Sequence, residues 1–174
     1  MTVCSLRVTQ VKYILLDCDN TLCQSERLAF EACTDLTNEL MKKYNINETY
    51  TVDGLLEDFV GHNFRNMILG LQKKHNFSMS QEEQDEYVGR ELSEVTKKLS
   101  EKCVECPGAE EQLQWMKDQG YPMAVVSTSH KSRVVASLKK TGLMRAFACY
   151  SPLRYTHANI CGRLLQRRAR LLRR

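Results

Sequence analysis

The chain has 174 residues, of which 43% are hydrophobic and 26% are charged, and its formal net charge at pH 7 is +4. This composition is typical of a soluble globular protein with one domain, or one domain with an insertion, and excludes a disordered or fibrous chain. No apolar run approaches the roughly 20 residues that span a bilayer, the N-terminus lacks a signal-peptide pattern and the scattered cysteines form no disulfide framework, so we expect a cytoplasmic protein.

The first predicted element is an apolar strand over residues 13–16 that ends in two aspartates. Asp17 and Asp19 are two residues apart, and a strand projects such side chains to the same side. Open α/β sheets bind ligands at the carboxyl edge of their strands, where this pair can share one ion or one substrate. The alternative is a strand followed by an ordinary turn, because Asp19 and Asn20 favour turns through local hydrogen bonds.

Residues 24–105, which follow, carry helical patterns. Apolar residues four apart predict an amphipathic helix over residues 25–44, and two more helices are predicted near residues 52–60 and 63–74. A capping box at Ser80 opens a fourth helix, whose predicted buried stripe is Val88, Leu92, Val95 and Leu99. These helices are either a cap inserted after the first strand or ordinary helices of a mixed domain. The lack of a short crossover between the two strands favours a cap.

The α/β pattern resumes after a short connector. The connector holds Cys103 and Cys106, a CxxC pair that lacks the further ligands of a structural zinc site. A helix then leads to a continuous apolar strand over residues 122–126, of the kind buried in parallel sheets. This strand ends at Ser127, with Thr128 next, so hydroxyls take the place that aspartates have after the first strand.

A helix over residues 130–141 and a short third strand over residues 147–150 complete the predicted core. The order strand, helical insertion, helix, strand, helix, strand predicts an α/β fold with a partial doubly wound, Rossmann-like parallel sheet. We therefore expect a discontinuous α/β core of residues 1–23 and 106–158, with an all-helical cap at residues 24–105.

Residues 159–174 form a basic amphipathic tail. They contain six arginines and no acidic residue, which leaves the first 158 residues with 19 basic and 21 acidic side chains. One explanation is a helix that makes weak contact with an anionic surface. The other is sequence from a truncated or frame-shifted reading of a longer gene. The body of the chain has no basic excess that would indicate a specific nucleic-acid partner.

Two of these motifs resemble those of the haloacid dehalogenase superfamily of aspartate-nucleophile phosphohydrolases. The run Asp17-Cys18-Asp19-Asn20-Thr21 is similar to the family's first motif, DxDxT, and the strand ending at Ser127 is similar to its second. The resemblance covers residues 11–145. The family's third motif, a lysine that braces nucleophile and phosphate, and its fourth, an acidic pair at the magnesium site, are not found, which favours the truncated or frame-shifted reading of the tail.

The resemblance implies a capped, Mg²⁺-dependent phosphatase that acts on a small phosphorylated metabolite. Asp17 would be the nucleophile that forms an aspartyl-phosphate, and Asp19 would be the general acid and base. Ser127 and Thr128 would bind phosphoryl oxygens. Magnesium would be held by the Asp17 carboxylate and the Asp19 main-chain carbonyl. An acid at position 19 suits an alkoxide leaving group, so it favours phosphate esters over haloacids.

In the predicted cap, the run from Gly61 to Arg65 resembles a turn by which some capped relatives contact the far end of the substrate. Arg65 would then bind a second anionic group, whereas the alternative is an exposed helix arginine. Three functions follow from the sequence: a phosphatase impaired by C-terminal truncation, an inactive relative that binds a phosphorylated ligand or protein partner, and anionic-surface binding through the tail.

Overall fold

The computed structural model describes residue 11, residues 13–147 and the backbone of residues 155–157. The basic tail at residues 159–174 lies outside the described residues. In chain order the elements are β1 (Ile14–Leu16), α1 (Glu26–Lys43), α2 (Val52–Phe59), α3 (Phe64–His75), α4 (Gln81–Lys102), α5 (Ala109–Asp118), β2 (Met123–Ser127), α6 (Lys131–Lys140), α7 (Met144–Phe147) and β3 (Tyr155–His157).

The described strands form one parallel sheet in the order β1-β2-β3. Leu16 is in register with Val125, so β1 and β2 reach their carboxyl ends side by side. The predicted α/β fold with a parallel sheet is confirmed. Helices separate each strand from the next, as parallel connections require.

The predicted third strand was placed wrongly. Phe147 lies in α7 rather than in a strand, and β3 pairs with β2 several residues later, with Ser127 in register with His157. Residues 148–150 lie outside the described part of the chain. Phe147 is buried in the core, and a short apolar run of this kind does not distinguish a strand from a buried helical turn.

The predicted helix ends agree closely with the structure. Ser80 is the N-cap of α4, and its hydroxyl oxygen accepts a hydrogen bond of 3.2 Å from the Glu83 amide. The Glu83 side chain does not close the capping box. Instead its carboxylate accepts a hydrogen bond of 2.6 Å from the Tyr44 hydroxyl and pairs with Lys43, both at the end of α1. Glu83 therefore joins the first turn of α4 to the end of α1.

The buried stripe of α4 differs from the predicted one in its first half. Val95 and Leu99 are buried as expected, but Tyr87 and Glu91 are buried one residue before the predicted positions. Glu91 is 6% exposed, because it faces an arginine on α6 rather than solvent. Hydrophobic periodicity cannot assign a charged residue to a buried stripe, since charged groups are buried only when they are paired.

The buried apolar residues form two clusters. One surrounds β2 and includes Val125, Leu113 and Leu138. The other lies within the helical segment around Leu40, Leu55 and neighbouring residues of α1, α2 and α3. Helices α1 and α4 reach both clusters, because Ala32 and Val95 belong to the first, and Leu40 and Tyr87 belong to the second.

The two connections between the sheet and the helical segment run antiparallel to each other. The Gln24 amide donates to the Val104 carbonyl and the Cys106 amide to the Leu22 carbonyl, each over 2.9 Å. Cys23 and Glu105 form the bridge between these bonds. The helical segment thus leaves and rejoins the sheet region at one place, beside the Asp17–Asp19 turn. In the described part of the chain, no helix is long and apolar enough to cross a bilayer.

Candidate active site

The two aspartates after β1 have different environments. Asp17 is exposed, and one of its carboxylate oxygens accepts a hydrogen bond of 3.0 Å from the Thr21 hydroxyl. Cys18, between them, is fully buried and faces the core, as the alternation of a strand requires. Asn20 has a φ of 53°, which lets the chain turn tightly back after the strand.

Asp19 is the centre of a cluster of hydroxyl groups. Its Oδ1 accepts a hydrogen bond of 2.6 Å from the Ser25 hydroxyl. Its Oδ2 accepts from the hydroxyls of Ser127, over 3.1 Å, and Ser129, over 2.7 Å. Ser25 and Ser127 are buried, at 2% and 3% exposure. The structure therefore joins the end of β1, the end of β2 and the start of α1 through one carboxylate.

The loop between β2 and α6 is shaped by Ser127. Its hydroxyl oxygen accepts a hydrogen bond of 3.0 Å from the Ser129 amide. His130, and not Ser129, is the N-cap of α6, and its ring nitrogen Nδ1 accepts from the Ser132 amide. This arrangement places hydroxyls and the amino-terminal end of a helix beside Asp19, which together form a favourable environment for an anion.

A cleft of about 630 Å³ opens at this cluster. Asp19 and the loop after β2, including Thr128 and Ser129, form one wall, and residues of the helical segment, including His62, form the other. Asp17 lies at the same strand edge but is not part of the lining. The structure thus brings Asp19, Ser127 and Thr128 together and leaves Asp17 more exposed, bonded to Thr21.

The structure does not bring Arg65 into this cleft. Arg65 pairs with Asp85 and lines an adjoining cavity of about 400 Å³. The two cavities share five lining residues, so they are neighbouring parts of one groove. Those shared residues are Ala29, Phe30, His62, Asn63 and Arg133.

Arg133 is a candidate site residue that the sequence interpretation missed. It is in the first turn of α6, and its guanidinium pairs with the buried Glu91 carboxylate of α4. Glu91 also lies 3.7 Å from the Cys33 thiol, and burial together with the Glu91 carboxylate raises the pKa of that thiol. The available signal was an arginine shortly after the hydroxyl-bearing loop, but nothing in the sequence identified its partner 42 residues earlier.

The donor set at the strand edge is of the type that magnesium prefers. Mg²⁺ usually binds one or two carboxylates together with waters and substrate phosphates, and Asp17 and Asp19 supply hard oxygen atoms. Among the described residues, no group of three or more His, Cys, Asp or Glu side chains is placed to hold a metal ion. The two aspartates could therefore take part in a magnesium site, but they do not form a complete protein cage.

Three cysteines near the site, Cys23, Cys103 and Cys106, have raised thiol pKa values. The Cys103 thiol lowers the pKa of Cys23, whereas the Cys18 thiol and burial raise it, with a net value of about 12. Cys23 and burial raise the pKa of Cys103, and burial raises that of Cys106. Because the thiolate is the reactive form, raised pKa values favour the unreactive, protonated thiol at these cysteines.

The sequence matches the profile of the haloacid dehalogenase-like hydrolases over residues 14–154. The chain therefore belongs to this family. The predicted resemblance is confirmed, and the match includes both the Asp17–Asp19 turn and the Ser127 loop. A comparison with curated proteins gives no match.

Solved structures with the same fold include three bacterial proteins. A predicted phosphoglycolate phosphatase from Haemophilus somnus is 19% identical with a TM-score of 0.66, and the alignment covers 90% of this chain and 73% of that one. A family hydrolase from Deinococcus radiodurans, crystallised with bound phosphate and sodium, is 18% identical with a TM-score of 0.59, and the alignment covers 87% and 59%.

The third is a conserved haloacid dehalogenase-like protein of unknown function from Agrobacterium tumefaciens, which is 22% identical with a TM-score of 0.59. That alignment covers 80% of this chain and 57% of the other. The chain thus spans less than three fifths of the Agrobacterium and Deinococcus proteins. At these identities the likeness concerns the fold alone.

Proposed function

We propose that this chain is a phosphatase that acts on a small phosphorylated metabolite through an aspartyl-phosphate at Asp17. The observation that supports the proposal best is the hydroxyl cluster on Asp19, which joins the carboxyl ends of the neighbouring strands β1 and β2 beside an open cleft. Hydroxyls and a helix amino terminus at one strand edge suit a tetrahedral anion. Membership of the family supplies the reaction class.

In the proposed reaction, Asp17 attacks phosphorus and Asp19 protonates the leaving oxygen, then activates water for hydrolysis. The exposure of Asp17 leaves its carboxylate accessible to a substrate. A bound phosphoryl group would compete with Asp19 for the hydroxyls of Ser127 and Ser129, which now donate to that carboxylate. Release of these hydrogen bonds would free Asp19 for proton transfer, and Thr128 would complete the phosphate loop.

Magnesium bound by the Asp17 carboxylate and the Asp19 main-chain carbonyl would neutralise charge on the phosphoryl group. Residues 24–105 would act as the cap over the discontinuous core of residues 1–23 and 106–158. Arg65 would contact the substrate only after leaving Asp85, its partner on α4. The free thiols of the described cysteines are compatible with a reducing compartment, and we place the protein in the cytoplasm.

A second candidate is a relative that binds a phosphorylated ligand without turnover. It is favoured by the lining of the cleft, because the described residues that line it include no lysine, and Lys139 and Lys140 lie at the far end of α6. Loss of one preorganised electrostatic stabiliser commonly costs about 10²- to 10³-fold in rate. A cleft without the bracing lysine could therefore keep phosphate affinity while losing most of its turnover.

Phosphate release from p-nitrophenyl phosphate, with Mg²⁺ and with chelator, separates the two candidates. We expect release that requires Mg²⁺ and is lost in the Asp17→Asn variant. Asp35→Asn is the matched control, because Asp35 is an exposed acid on α1 that pairs with Lys98, away from the cleft. Equal rates of phosphate release for the natural chain and Asp17→Asn would contradict the proposed phosphatase activity. Binding of the phosphate ester without release of phosphate would support the second candidate.

A further inference from the structure

Arg133 lies where the two cavities of the groove meet, and its charge has no role in the proposed phosphoryl chemistry. One cavity is lined by Asp19 and by the loop between β2 and α6, which contains Thr128 and Ser129. The other is lined by Glu91, and Arg133 lines both cavities. It is the one arginine or lysine among the described residues that lines the Asp19 cavity. A cation at this junction faces whatever part of a bound substrate extends beyond the phosphoryl group.

The guanidinium of Arg133 is only partly satisfied by the protein. Its NH2 nitrogen pairs with Glu91, whereas its Nε is buried and has no hydrogen-bond acceptor among the described residues. Guanidinium groups present five N–H donors in a planar fork, so a single carboxylate leaves several donors for another acceptor. A buried N–H without an acceptor is uncommon in folded proteins and calls for one.

Glu91 holds Arg133 in this position. Its side chain is 8% exposed and that of Arg133 is 20% exposed, so the pair is much drier than the Arg65–Asp85 pair at 35% and 54%. Because water screens the drier pair less, the attraction between its two charges is stronger and its geometry is better fixed. Arg133, rather than Arg65, is therefore the preorganised cation of the groove.

We propose that Arg133 determines specificity by binding a second acidic group of the substrate, so that the preferred substrates are phosphate monoesters whose leaving group carries a carboxylate. A carboxylate can accept hydrogen bonds from the donors of the two terminal guanidinium nitrogens that Glu91 does not use. Glu91 acts as the positioning residue that aims the fork into the groove. This inference rests on the proposed function, because it assumes that the phosphoryl group is bound beside Asp19.

The experiment compares two probe esters that differ at the far end. 3-Phosphoglycerate carries a carboxylate where glycerol 3-phosphate carries a neutral hydroxymethyl group, and their affinities for the full chain can be measured by calorimetry without turnover. We expect the natural chain to bind 3-phosphoglycerate about 10- to 100-fold more tightly, the range of a charge-assisted hydrogen bond. Arg133→Met should remove this preference and leave glycerol 3-phosphate binding within about threefold.

Arg133→Met leaves Glu91 buried without a partner, so the double variant Glu91→Gln/Arg133→Met provides a second test that removes both charges. Arg90→Met is the matched control, because Arg90 lies next to Glu91 in sequence but pairs with Glu39 outside the groove. It should keep the preference, and Arg133→Lys should keep only part of it.

The inference is overturned if the natural chain binds both esters equally or binds neither, or if the Arg133 variants that fold keep the preference. Failure of the proposed function is distinguishable, since it would appear as preferential binding of 3-phosphoglycerate with no phosphate release. An equal loss of both esters in the double variant would also overturn the inference, because it would assign Arg133 a general role in folding or phosphate binding.

Discussion

The buried pair between Glu91 and Arg133 gives the sharpest test of the packing between α4 and α6. In the Glu91→Ala variant the guanidinium loses the carboxylate that pairs with it, and Glu91 itself is only 6% exposed. Removing one partner of a buried pair typically costs about 3–5 kcal/mol, because an uncompensated charge stays behind. Arg133 retains some access to solvent through the groove, so we expect the lower end, about 3 kcal/mol.

Urea unfolding measures this cost. With a slope of about 2 kcal/mol per molar urea, the midpoint should fall by about 1.5 M without a change in slope. Arg27→Ala is the control, because Arg27 pairs with Asp53 on the exposed surface and should leave the midpoint unchanged. The Glu91→Leu/Arg133→Met variant should recover much of the loss, since apolar replacement of a buried pair is often tolerated. A midpoint shift for Glu91→Ala no larger than that of the control would refute the reasoning.

Three further predictions concern the helical segment. Ser80→Ala removes the hydroxyl that accepts a hydrogen bond from the Glu83 amide, and it should destabilise the protein by about 1 kcal/mol in thermal melts. An unchanged melting temperature would contradict a stabilising role for this N-cap. Leu40→Ala, at a fully buried position, should lower the free energy of unfolding measured in urea by about 2–5 kcal/mol. Leu69→Ala, at a position that is 49% exposed, should lower it by about 0.5 kcal/mol or less, and equal losses would contradict the described core. The Arg90 guanidinium lowers the pKa of Glu39 to about 2, below its unfolded value, so this carboxylate contributes stability above pH 4.5 that is lost as the pH falls toward 2. Glu39→Gln should therefore show a smaller drop in urea midpoint between pH 5 and pH 3 than the natural chain, and an equal drop would exclude the pair as a source of acid sensitivity.

Features that depend on local sequence were predictable. The N-cap at Ser80 follows from side-chain hydrogen bonding within a few residues, and the helix predicted over residues 130–141, which is α6, follows from helical periodicity. The parallel pairing of β1 with β2 was also predictable, since two buried apolar strands separated by helices form such a sheet.

Features that depend on distant partners were not predictable. Glu91 is buried only because Arg133 reaches it from another helix, so hydrophobic periodicity placed the stripe of α4 one residue too late. The same reason explains the misplaced third strand, because Phe147 is apolar enough for either a strand or a buried helical turn. Pairing with β2, rather than composition, decides where β3 lies.

In the candidate site, the sequence predicted which residue types meet but not how they bond. Asp19 and Ser127 were expected at one strand edge, and the Ser127 hydroxyl donates a hydrogen bond of 3.1 Å to the Oδ2 atom of Asp19. The contribution of Ser25 was missed, because it depends on where α1 begins relative to Asp19. Arg65 was expected either to bind the substrate or to be an exposed helix arginine, and its pairing with Asp85 depends on the packing of α3 against α4.

Trapping the covalent intermediate tests the central claim most directly. The full chain would be incubated with a phosphate monoester and Mg²⁺, quenched in acid, reduced with borohydride and digested, and the peptides would be analysed by mass spectrometry. An aspartyl-phosphate at Asp17 would be reduced to homoserine at that position, and we expect this product in the natural chain but not in Asp17→Asn. Phosphate release without any homoserine at position 17, or with homoserine at another aspartate, would contradict the account.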